Sequence, residues 1–217
     1  MAMSSIPIRA ANTDVIQCTL VKVQADMCTA PAWLRASATL LAALLLAAPA
    51  LGGAILTPAP HISGELGAAR LAGSGHYSWF GLTIYTAELW VGERGYARDA
   101  PQAAPFVLDL RYARALDGQK IAAASAAQMQ EINAATPVQR AAWLTAMKAI
   151  FPNVEAGSHI SAVYLPAAGV RFYLDGKVLG EVADAAFGPA FFAIWLGPAS
   201  TAGALRERLL RDAAPPG

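Results

Sequence analysis

The feature that most constrains this chain is a change of hydrophobic period in its middle. Phe106 to Tyr112 alternates, with Phe106, Leu108, Leu110 and Tyr112 on one face and Val107, Asp109 and Arg111 on the other. A period of two is that of a half-buried strand. Directly afterwards the period becomes helical: Asp117 is a good N-cap, and Ile121, Ser125, Gln128 and Ile132 follow it. A second helix starts at Thr136-Pro137, with Gln139 placed for a capping box and Trp143, Met147 and Ile150 on one face, and Pro152 stops it. The pattern then returns to strands at His159–Leu165, Val170–Leu174 and Lys177–Val182, the last two joined by Asp175-Gly176, a tight hairpin signal.

The outer parts of the chain complete that order. Leu66 to Val91 is strand-like, rich in aromatic and β-branched residues, and Gly81 marks a bulge or bend between two strand pieces. Residues 55–64 read as an irregular lead-in and Gly92 to Pro105 as a polar loop. Near the C-terminus Asp184 caps a helix bearing Phe187, Phe191, Phe192 and Trp195, a stripe most simply read as core packing that could also wall an apolar pocket, since spacing does not tell the two apart. Gly197-Pro198 breaks it, Ser200 caps a last helix through Leu210, and residues 214–217 fray. Strands, two helices, strands, two helices, with hairpin-like connections, predict an α+β fold: a large antiparallel sheet backed by helices on one face.

Ahead of this stands a different kind of segment. From Ala36 to Gly64 there is no charged residue; Arg35 precedes an apolar stretch of about a dozen residues, and Ala50, Gly52, Gly53 and Ala54 follow it. These are the parts of a secretory signal peptide, with cleavage after Ala50 or Ala54. Residues 1–54 are therefore read as a leader and the protein as exported, periplasmic in a bacterium. The alternative is an uncleaved N-terminal anchor, since the run reaches about 19 residues if extended to Leu56. A start at Met27 gives the leader ordinary proportions, which makes residues 1–26 extra sequence.

Both cysteines, Cys18 and Cys28, lie in the leader, so the remainder carries no disulfide framework and no thiol nucleophile. Three of the 16 basic residues (Arg9, Lys22, Arg35) and two of the 15 acidic ones (Asp14, Asp26) are there too, which leaves 13 of each sign. A formally neutral domain gives no reason to expect a nucleic-acid partner. His61, His76 and His159 are scattered without metal-ligand spacing, so neither a metal nor a cofactor is expected. Gly73-Ser74-Gly75 leads into a strand and not a helix, so it lacks the helix N-terminus that phosphate binding uses.

The stretch Gly73-Ser-Gly-His-Tyr-Ser-Trp-Phe-Gly-Leu-Thr-Ile-Tyr85-Thr-Ala-Glu-Leu-Trp90 resembles the signature of bacterial chalcone isomerase-like proteins. The resemblance continues through Leu110–Gly118, Ile150–Val154, the Val170–Val182 hairpin and Phe191–Leu196, about residues 64–211. It implies an open-faced β-sandwich over residues 55–213, with a ligand cleft between sheet and helices. Plant members of that family cyclise chalcones to flavanones, and relatives bind fatty acids without catalysis.

The enzymes' catalytic positions transfer poorly. Their arginine, which polarises the substrate carbonyl, is matched by Tyr77; their threonine by Gly81; their helix-opening tyrosine by Ile121; their asparagine by Gln128. An oxyanion donor of that kind supplies about 100- to 1000-fold in rate, so efficient chalcone isomerisation is not expected. Tyr77, Arg111 and Gln128 are the candidate catalytic groups, and Tyr77, Phe80, Tyr85, Arg111, Ile121 and Gln128 the candidate ligand contacts; Arg70 could also reach the cleft. The resemblance favours non-catalytic binding of a fatty acid or another small apolar or amphipathic molecule. The alternative is an intramolecular lyase or isomerase acting on a chalcone-like substrate.

Overall fold

The computed structural model describes residues 56–215; the segment read as a leader with its cleavage region lies outside the described residues. Six strands, β1 (Arg70–Trp79), β2 (Leu82–Val91), β3 (Phe106–Tyr112), β4 (His159–Leu165), β5 (Gly169–Leu174) and β6 (Lys177–Val182), pair in sequence order into one antiparallel sheet. Helices α2 (Gly118–Glu131) and α3 (Pro137–Ile150) are inserted between β3 and β4, and α4 (Phe187–Leu196) and α5 (Gly203–Leu209) follow β6. This is the expected α+β architecture, a large antiparallel sheet backed by helices.

Local chemistry sets most element ends. The Asp117 carboxylate accepts from the Lys120 amide at 3.0 Å, and Thr136 with Gln139 closes the capping box of α3. The β1–β2 and β5–β6 connections are two-residue turns whose central residues both have positive φ: Phe80 (47°) and Gly81 (77°), Asp175 (49°) and Gly176 (81°). That geometry matches the twist of the flanking strands. Gly81 is thus a turn residue and not a bulge; the irregularities of the β1–β2 ladder fall at Leu71/Gly73 and Tyr77/Ser78.

One face of the sheet is covered by four helices and the other, the open face, only in part. Leu89, Leu108, Leu110, Ala162 and Phe172 point toward α2–α5 and meet a dense aromatic cluster. Within it Phe187 stacks on Phe191 at 5.2 Å, and Phe191 meets Phe172 edge-on at 5.5 Å. Burying a side chain of this size contributes about 1.5–3 kcal/mol. The stripe on α4 is core, and Phe192 of it also walls a cavity, so both readings left open by its spacing hold in part.

The opposite face is covered in part by a short helix, α1 (Pro60–Leu66), which places Ile62 against Trp90, Val107, Val163 and Tyr173. This corrects the expectation of an irregular lead-in at 55–64. Pro60 presets the first helical φ, but the N-cap Ala59 makes no side-chain bond. What holds α1 is its contact with the sheet, which has no local signature. For the same reason β3 is not half-buried: Val107 and Asp109 are covered as fully as Leu108, and within the strand only Arg111 is exposed.

Three helix details also differ from expectation. The buried face of α2 is Gly118, Ala122, Ser125 and Met129, one step round from the expected stripe. α4 begins at Phe187, three residues after Asp184, whose carboxylate accepts from the Ala186 amide at 2.9 Å and from the Trp143 indole at 2.8 Å. Asp184 thereby ties α3 to the approach to α4. α5 begins at Gly203, and Ser200 instead donates to the Ile194 carbonyl at 2.6 Å.

Candidate functional site

Two places on the helix side of the sheet bear on ligand binding, at opposite ends of β3. At the C-terminal end of β3, Tyr77, Tyr85 and Tyr112 stand in register across β1, β2 and β3. Tyr77 stacks on Tyr85 at 5.3 Å, and Tyr85 meets Tyr112 edge-on at 6.0 Å. Burial raises the phenol pKa values of Tyr85 and Tyr112 well above the ordinary value, and each ring raises or is raised by a neighbouring phenol, so both hydroxyls stay protonated. The Trp195 indole of α4 donates to the Tyr85 hydroxyl at 2.9 Å. Ile121 and Gln128 are seven residues apart on α2, hence on one face; Ile121 packs against the core, and the Gln128 side-chain carbonyl accepts from Thr201 at 2.9 Å.

The structure therefore assembles Tyr77 and Tyr85 and places Ile121 and Gln128 on the same side of the sheet. The other candidates lie elsewhere. Phe80 is 86% exposed at the tip of the β1–β2 turn. Arg111 is on the opposite face of the sheet, paired in register with Thr86 and His159. Arg70 points to the C-terminal segment, where it donates to the carbonyls of Asp212 and Ala214.

At the other end of β3 is an apolar cavity of about 170 Å³. Its floor is Phe106 of β3 and Tyr164 of β4, stacked at 5.0 Å. Phe192, Ala193 and Leu196 of α4 form one wall, and Tyr96 and Pro101 of the β2–β3 loop form the other. Gly188 lets α4 approach closely, because a Cβ there would lie 2.6 Å from the Tyr164 ring. Arg98 and Arg206 stand at the rim. Burial raises the phenols of Tyr96 and Tyr164; at Tyr96 the charges of Arg206 and Arg98 oppose that rise. A second, more open hollow of about 360 Å³ lies within the loop, walled mostly by small residues between Arg94 and Ala104.

The outer face carries a polar network beneath α1. Ser161, fully buried, donates to Asp109 at 2.5 Å, and His159 Nδ1 donates to the other oxygen of Asp109 at 2.7 Å. His61 Nε2 of α1 lies 2.8 Å from the Ser161 oxygen, whose proton is already directed at Asp109, so the imidazole donates. The histidine does not stand between serine and aspartate, and Ser161 has no access to solvent, so this is not the arrangement of an activated nucleophile. Among the described residues no group of three His, Cys, Asp or Glu side chains could hold a metal ion.

Sequence reasoning named Tyr77 and Tyr85, and of the cavity the α4 stripe that supplies Phe192, but it missed the loop and rim residues. Tyr96 and Arg98 sit in a loop without periodicity, and Arg206 sits on a short polar helix face. No local signal connects them, because they meet only when the β2–β3 loop folds over α4 and α5.

A sequence profile of the family described as chalcone isomerase-like matches residues 63–211. An uncharacterized protein of Haemophilus influenzae is 29% identical over 138 residues, 64% of this chain and 66% of that protein, just under two thirds of its length. The fold is similar to the crystal structure of the Arabidopsis thaliana fatty-acid binding protein AtFAP1, with a TM-score of 0.57 and 16% identity, covering 67% of this chain and 88% of that one.

Proposed function

Because the chain belongs to the chalcone isomerase-like family, we propose that it is an exported binding protein that holds a fatty acid or another small apolar molecule between sheet and helices without converting it. The observation that carries this reading is the apolar cavity under α4, walled by Phe106, Phe192 and Leu196 with few polar groups at its edge. Pockets of that composition bind small amphipathic molecules. The fatty-acid binding of AtFAP1, which shares the fold, supports the same reading.

Turnover is disfavoured by what surrounds the family's catalytic positions. Tyr77 stands where the enzymes have their arginine, the Tyr85 hydroxyl is engaged by Trp195, and the Gln128 carbonyl by Thr201. The titratable neighbours that bear on Tyr85 and Tyr112 are phenols, not an arginine or lysine able to polarise a carbonyl.

Native mass spectrometry of protein purified from its own host tests the reading. A co-purified acyl or similarly apolar molecule, and a rise in Tm on adding fatty acids, are expected. A clean apo mass together with no thermal shift from any fatty acid would overturn it. Export is tested separately by fractionation: the protein is expected outside the cytoplasm, shortened by its leader.

A further inference from the structure

We propose that the cavity takes a short monocarboxylate, tail inward, with its carboxylate on Arg206 and Arg98 in the place now held by the chain's own Glu207. The inference rests on the binding reading above and names the ligand's chemical class and the residues that select it.

The cavity sets the tail. An apolar cavity of about 150 Å³ is filled by a benzene molecule. A space of about 170 Å³ walled by Phe106, Phe192 and Leu196 therefore holds a ring or about six carbons in a chain, and a longer chain would have to emerge.

The rim sets the head. Arg206 Nε donates to the Leu196 carbonyl at 2.9 Å, which fixes this guanidinium at the C-terminal end of α4, beside the cavity. Its outward nitrogen pairs with Glu207 Oε1 at 2.6 Å. Arg98, from the loop on the other side, pairs with Glu207 Oε2 at 3.4 Å and also donates to the Leu210 carbonyl at 3.3 Å. One carboxylate thus bridges two guanidiniums at the mouth of an apolar space, and it is supplied by a side chain that does not itself line that space. Its hold is weak: the Glu207 side chain is 60% exposed, and exposed ion pairs contribute little. A ligand carboxylate makes the same pairs, in the fork geometry that arginine favours, and adds the burial of its tail. Tyr96 lines the cavity beside both arginines and supplies a phenolic donor.

Glu207 then acts as a competitor built into the site. Neutralising it should tighten binding of an anion and leave a neutral ligand of equal tail unaffected.

The test is calorimetric titration of the purified protein with hexanoate and with 1-hexanol, with chemical shifts of Ala193 and Tyr96 reporting occupancy of the cavity. Hexanoate is expected to bind several-fold more tightly than hexanol, since its carboxylate replaces that of Glu207 in pairs that are themselves weak. Arg206→Gln should remove that preference, and Glu207→Gln should tighten hexanoate several-fold while leaving hexanol unchanged. Arg206 also caps α4, so should its substitution disturb folding, Glu207→Gln and Arg98→Gln carry the test. If hexanoate and hexanol bind the cavity equally, and Glu207→Gln changes neither, the carboxylate inference fails while the binding reading stands. If neither probe nor a longer fatty acid shifts the cavity resonances, both fail.

Discussion

Trp195 donates its indole proton to the Tyr85 hydroxyl at 2.9 Å, joining α4 to β2. Trp195 is 6% exposed and Tyr85 half-buried, so the bond is largely shielded from water and its loss leaves a buried donor without a partner. Tyr85→Phe is expected to cost about 1–3 kcal/mol. Tyr85→Phe with Trp195→Phe should cost less than the sum of the two single changes, because neither polar group is then left alone. Denaturant titration of the four proteins gives the coupling; strict additivity would show that the bond contributes nothing.

Gly73 lies where β1 passes under α5. A Cβ there would sit 2.0 Å from the Arg208 carbonyl oxygen and 2.7 Å from that of Leu209. Both obstacles are backbone, so no side chain can turn aside. Gly73→Ala is expected to destabilise by at least about 1–3 kcal/mol, the usual cost of overpacking. Gly64, inside α1 with nothing within 4 Å of its Cβ position, is the matched control: alanine there should stabilise by about 0.5–1 kcal/mol. Thermal melts of the two variants should move in opposite directions.

Asp109 holds the outer-face network together, accepting from Ser161 at 2.5 Å and from His159 at 2.7 Å while almost wholly buried. Asp109→Ala leaves the Ser161 hydroxyl without its acceptor, at a cost of about 1–3 kcal/mol for that group alone. Ser161→Ala leaves Asp109 its bond from His159 and takes the acceptor only from His61, which is half-buried and can turn to water, so it should cost less. A reversed order of the two Tm shifts would contradict this account of the network.

The grip of α1 on the sheet should weaken in acid. Burial, with His159 nearby, lowers the His61 pKa below its ordinary 6.5, and Asp109 and Glu65 only partly offset that. The folded state therefore binds this proton less readily than the unfolded chain. Its stabilisation is complete above about pH 6.5 and is lost as the pH falls through the folded value. Glu65 acts in the same direction at lower pH. Burial alone would raise its carboxyl, but hydrogen bonds from Tyr173 and Arg171 hold it below its ordinary 4.5, so its contribution is present above that value and is lost as the pH falls further. Melts recorded from about pH 8 to about pH 2 should show Tm falling in two stages, with His61→Gln removing the first. An unchanged first stage in that variant would assign it to another group.

The sequence by itself determined the order of the strands and of α2–α5, the antiparallel hairpins and the starts of α2 and α3. Those features are local: the alternation of Phe106–Tyr112, the cap at Asp117, the Thr136–Gln139 box and the Asp175-Gly176 turn each act within a few residues. The family signature, also contiguous, pointed to Tyr77 and Tyr85. Only the tertiary structure decided what covers each face and where space remains. The period of β3 assigns Asp109 and Arg111 to one side, but it does not say that α1 buries the first and leaves the second in solvent. Nor does any local pattern join Arg98 to Glu207, 109 positions away, or set Tyr85 under Trp195. Periodicity records which way a side chain points; burial, closure of a network and the volume of a cavity depend on which distant segment arrives opposite it.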